Sequence, residues 1–110
     1  MKLRALVVTL ASFLILQTTA SAAKAKADWM EHCSKCHGED GRGQTKLGKK
    51  MKVPDFSTKQ VQNLFTDEQA FKIIKNGLRD DNDKVSMIAV EGLNDDEIRG
   101  VISFLRTLKK

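Results

Sequence analysis

Tyrosine is absent from the 110 residues, and tryptophan and proline occur once each. Only two cysteines and two histidines are present. So little aromatic bulk leaves a small chain short of core, and a domain of this size often needs a staple. A disulfide between cysteines three apart closes too small a loop to stabilise much. A structural zinc site wants four converging ligands, and His32, which abuts Cys33, does not readily complete such a shell. A thioredoxin-type pair needs a strand–helix–strand setting, and none surrounds the cysteines. There is no internal repeat, no low-complexity segment and no nucleic-acid module with interleaved aromatics, so nucleic acid is excluded as a partner.

Long apolar runs are also missing, with one short exception at the start. Lys2 and Arg4 open the chain with positive charge, and Ala5 to Leu16 is apolar apart from Thr9 and Ser12. Ala20-Ser21-Ala22 supplies small residues for cleavage, so residues 1–22 read as a secretory signal cut after Ala22. The stretch is shorter than the roughly 20 apolar residues of a spanning helix, so no stable membrane insertion is expected after cleavage. No cysteine stands at the cut, which argues against a lipid anchor. Residues 23–110 then form one domain of 88 residues.

Cys33-Ser34-Lys35-Cys36-His37 is the stretch with chemistry. A Cys-x-x-Cys-His run reads as a c-type haem attachment site. Cysteines three apart lie on one side of a helical turn, so both sulfurs can form thioethers with one porphyrin. The histidine that follows projects toward the iron as its proximal ligand. A covalently held haem would also supply the core that the composition lacks. Gly38, Gly41 and Gly43 follow at once, end the helix and let the backbone turn sharply. No lysine and Ser/Thr follow the last glycine as in a phosphate loop. Arg42 can meet a haem propionate, but a solvent-facing arginine is the better reading.

Taken with the Cys-His-Gly-x-x-Gly-x-Gly continuation, the chain resembles a small monohaem class I cytochrome c over nearly all residues after the leader. The resemblance implies an all-α fold, three to five short helices wrapped around one covalently attached haem c. It implies that Pro54 offers its backbone carbonyl to the other ring nitrogen of His37, a bond that fixes the ring. It implies a methionine as sixth ligand, which favours ferrous iron. Met87 lies where the family places that ligand, in a loop before the last helix. Met51 is the runner-up, and an open iron the third case. Ile88 stands where proline commonly follows the methionine, and Val90 replaces a frequent aromatic. The aromatic that meets the C-terminal helix in the family corresponds to Trp29, and Phe104 takes the usual aromatic place on that helix.

The helices themselves are readable. Ala25 to His32 forms the first and runs into the haem motif. Lys46 to Ser57 reads as a lysine-rich loop. Thr66-Asp67-Glu68-Gln69 and Asn94-Asp95-Asp96-Glu97 are capping boxes, each opening an amphipathic helix. Asn76-Gly77 ends the first of these in a left-handed cap. Asp80 to Lys84 is a polar loop. Leu64, Phe65, Ile74 and Leu78 are candidate haem-wall residues, and Gly100 a point of close helix approach. Residues 23–60 hold nine bases against five acids, residues 61–110 eight against nine.

These features predict an exported, monomeric periplasmic carrier that moves single electrons between larger redox proteins. Lysines around the haem edge can steer docking onto an acidic partner. Full axial ligation leaves no substrate site, so no enzyme is expected. The alternative is a haem enzyme subunit or gas-sensing domain with an open sixth position.

Overall fold

The computed structural model describes residues 21–110. The expected leader therefore lies outside the described residues, except for its last two. Helix α1 occupies residues 21–32 and is followed by the single turn α2 (Ser34–His37). Next come α3 (Lys46–Met51), the single turn α4 (Lys59–Gln62) and α5 (Asp67–Asn76). A hairpin, β1 (Leu78–Arg79) and β2 (Val85–Met87), precedes the last helix α6 (Asp95–Thr107). The described residues thus hold six helical segments, more than the three to five expected, because two are single turns.

Helices α5 and α6 begin as their sequences predict. Thr66 accepts from the Gln69 amide while the Gln69 side chain accepts from the Thr66 amide. Asn94 and Glu97 make the same reciprocal pair at α6. Each box satisfies two of the amides that a helix start leaves bare. Acids fill both first turns, as the helix dipole favours.

The lysine-rich loop was expected to lack regular structure from Lys46 to Ser57, and its first half is instead α3. Thr45 Oγ1 accepts from the Gly48 amide at 2.8 Å, and Lys52 closes the helix in the left-handed region at φ 55°. Gly48 explains why the helix stays: a Cβ there would collide with the carbonyls of Cys36 and Gly43. Close approach to the cysteine turn, more than local propensity, holds α3 in place.

The polar loop 80–84 is likewise more ordered than expected. It joins an antiparallel hairpin in which Leu78 pairs with Met87 and Arg79 with Val85. Asp80 ties the turn, its carboxylate accepting from the amides of Asn82 (2.9 Å) and Lys84 (3.0 Å). The fold is the mostly helical one expected, with this small hairpin added.

Two apolar clusters make the core. Trp29, Cys33, Phe56, Val101 and Leu105 form the first, joining α1 and the cysteine turn to α6. Ala70, Ile74, Ile98 and Ile102 form the second, between α5 and α6. Phe65 and Leu93 touch both. Gly100 faces Ala25 of α1, but a Cβ there would lie 3.6 Å away, an ordinary contact. Close approach at this crossing does not need the glycine.

Candidate haem site

Cys33, Cys36 and His37 stand on one continuous turn. The Cys33 amide donates to the Trp29 carbonyl at 2.9 Å and His37 donates back to Cys33 at 3.0 Å. Gly38 ends the turn at φ 82°, ψ 158°, a region only glycine enters freely. Its amide donates to Ser34 at 2.8 Å, and its carbonyl accepts the buried Trp29 indole N–H at 3.0 Å. Gly41 and Gly43 also have positive φ, as the expected sharp turn requires. Thr45 and Gly48 of α3 close the far side, Thr45 Oγ1 donating to the Cys36 carbonyl at 2.9 Å.

Both cysteines are free thiols, Cys33 buried and Cys36 half-buried. Burial, with the Asp28 carboxylate and Cys36 adding smaller effects, pushes the Cys33 thiol up to about 12. A catalytic redox pair needs a depressed thiol, so this environment argues against that use of the motif. Among the described residues, no three His, Cys, Asp or Glu side chains converge as a metal cluster.

The His37 ring lies between two aromatics, with centroids 5.9 Å from Trp29 and 5.1 Å from Phe56. Burial lowers its pKa, which favours the neutral imidazole that can bind a metal. His37 Nδ1 is buried and has no hydrogen-bond partner. The bond expected from the Pro54 carbonyl is therefore not made here. Pro54 is exposed, and its carbonyl would lie 3.4 Å from a Cβ on Gly43, whose amide donates to the His37 carbonyl at 2.7 Å. The proline is near the turn but not joined to the ring. Arg42 points partly to solvent, yet its Nε is buried and unbonded, 3.7 Å from the Asp40 carboxylate.

Met87 sits apart from the cysteine turn in the chain and in the core. It ends β2 and packs, half-buried, against the α5–α6 cluster. The segment after it is tied back to α5, the Val90 amide donating to the Ile74 carbonyl at 2.8 Å. Met51, at the end of α3, is exposed. Of the candidate wall residues, Ile74 is buried and Phe65 half-buried, while Leu64 is 79% and Leu78 44% exposed. Ile88, beside Met87, is 78% exposed.

Two free thiols and a buried, unbonded imidazole nitrogen on one turn fit covalent attachment of a porphyrin. Sequence reading missed Thr45 and Gly48, which brace the turn, and read Gly77 only as a left-handed helix cap, whereas at φ 81°, ψ 178° it leaves that region and meets the Met87 backbone. Thr45 preceding Leu47 was a readable cap signal, but the contacts of the two glycines are tertiary and leave no local trace.

The site and the helical frame are those of a c-type haem protein. A family model for Cytochrome c matches residues 22–109, so the chain belongs to the cytochrome c family. A solved c-type cytochrome, KustC0563, is similar at 25% identity with a TM-score of 0.65. The match covers 78% of this chain and 98% of that one. A comparison with curated proteins finds no match. The chain is accordingly a c-type haem electron carrier with one covalently bound haem c, and redox proteins are its partners.

Proposed function

We propose that residues 23–110 form a monomeric periplasmic cytochrome that carries single electrons between larger redox proteins, exported by the leader at residues 1–22. The observation that carries this reading is the 33–37 turn, with two free thiols beside a half-buried imidazole whose buried Nδ1 has no partner. Cys33 and Cys36 would hold the haem through thioethers, and His37 and Met87 would be its axial ligands. The haem supplies a one-electron Fe(III)/Fe(II) couple.

The chain's own residues set the conditions for that couple. Burial keeps His37 neutral, so its lone pair is free for a metal. Met87, half-buried against Ile74 and Ile98, is a better thioether donor than exposed Met51. Trp29, Phe56 and Phe104 exclude water from the His37 side, with Trp29 and Phe104 rings 5.6 Å apart.

A carrier also needs a docking face. Lys46, Lys49 and Lys50 lie on α3, with Lys52 at its end and Lys35 on α2, the turn that α3 braces. Among the described residues none of these five lysines forms an ion pair, whereas Lys75, Arg99 and Arg106 each pair with an acid on the α5–α6 side. Unpaired cations beside the haem turn suit an acidic partner.

The test is the visible and near-infrared spectrum of the exported holoprotein and of Met87→Ala. Sharp α and β bands on reduction, with a weak ferric sulfur-to-iron band lost in the variant, are expected. A high-spin spectrum indifferent to the substitution would instead favour an open sixth position.

A further inference from the structure

Met87 is gripped at three points, all on or next to the last turn of α5. Its backbone pairs with Leu78 across the hairpin. Three residues on, Val90 donates to the Ile74 carbonyl at 2.8 Å. Between those points stands Gly77, which ends α5 at φ 81°, ψ 178° and donates to Ile73 at 2.7 Å. A Cβ at Gly77 would lie 2.9 Å from the Met87 carbonyl oxygen and 3.0 Å from the Ala89 amide nitrogen.

Those two neighbours are backbone atoms, and both are pinned. Met87 is held by the strand pairing and Ala89 by the Val90–Ile74 bond next to it. Neither can yield alone, so a side chain at residue 77 moves the 87–89 segment as a unit. We propose that the end of α5 positions Met87 for its role as axial ligand, through the bare Gly77 and the Ile74 carbonyl. The proposal rests on the reading of Met87 as that ligand. It makes Gly77 and Val90 positioning residues: neither touches the haem in this scheme, yet both set where the sulfur arrives.

Gly92 provides a control. It also has a positive φ, 87°, but a Cβ there would meet only His32 Cε1, at 3.6 Å. Gly92→Ala therefore places a side chain at a positive φ without pressing on Met87.

The experiment uses ferric holoprotein, comparing wild type with Met87→Ala, Gly77→Ala, Val90→Pro and Gly92→Ala. It reads the near-infrared sulfur-to-iron band, the affinity for added imidazole as a competing iron ligand, and thermal stability. Val90→Pro removes the amide donor of the second tether, together with the Val90 packing on the α5–α6 cluster, and gives a second route to the same tether if Gly77→Ala does not fold. Gly77→Ala and Val90→Pro are expected to weaken the band and raise the imidazole affinity about tenfold or more. Gly92→Ala should stay within about twofold of wild type in that affinity, whatever stability it loses. Imidazole affinities in Gly77→Ala or Val90→Pro that match Gly92→Ala would overturn the positioning role. A Met87→Ala protein that keeps the band would instead show that the ligand lies elsewhere, and the proposal would fall with that reading.

Discussion

Trp29 joins packing to polarity at one residue. Its ring is 1% exposed in the first cluster, and its indole N–H donates to the Gly38 carbonyl beside His37. Phenylalanine would keep most of the bulk and leave that buried carbonyl without its donor, a cost of about 1–3 kcal/mol. Trp29→Phe should therefore lower the denaturant midpoint with little change in slope, as followed by far-ultraviolet circular dichroism. Asp55 gives a residue-scale pH dependence. Its carboxylate accepts from the Ser57 hydroxyl (2.6 Å) and amide (2.8 Å), which holds its pKa below the ordinary 3.8. The folded state thus binds this proton less readily than the unfolded chain. The stabilisation is complete above 3.8 and is lost as pH falls through the folded value. Melting temperatures of wild type and Asp55→Asn should run parallel at higher pH and converge only in the acid range.

At the scale of elements, α6 depends on its cap. Asn94→Ala removes the acceptor for the Glu97 amide and should cost about 1 kcal/mol, measured by chemical denaturation. Such helices were legible in the sequence because cap, period and burial agree: Ile98, Val101, Ile102 and Leu105 are all buried. Helix α3 was not legible. Lys46-Leu47-Gly48-Lys49-Lys50-Met51 has no apolar stripe, and what holds it is Gly48 against the Cys36 and Gly43 carbonyls. The hairpin escaped for another reason, since strands of two and three residues are too short to show alternation. For the site, the Cys-x-x-Cys-His spacing suggested covalent attachment, and the family resemblance pointed to Met87. Phe56, beside the His37 ring, comes from a later loop, and that contact leaves no local signature.

Across the whole molecule, some cations tie elements together. Lys24 bridges Asp28 and Glu97 at 2.8 and 2.7 Å, joining the first helix to the last, and Arg106 ties Asp67 to the carbonyls of Gln62 and Phe65. The lysines of α2 and α3 make no such internal pairs among the described residues. Electron exchange with an acidic redox protein should slow as ionic strength rises. The double reversal Lys49→Glu/Lys50→Glu should slow it by about tenfold at low salt and by little at high salt, measured by stopped-flow absorbance.

Enclosure of Cys33 dictates an order of events. Trp29 and Phe56 cover it together with Val101 and Leu105, and those last two belong to α6, the final element of the chain. On the proposed attachment, the sulfur is open to a bulky porphyrin only until the C-terminus arrives and docks. On that reading the thioether at Cys33 should form before α6 docks.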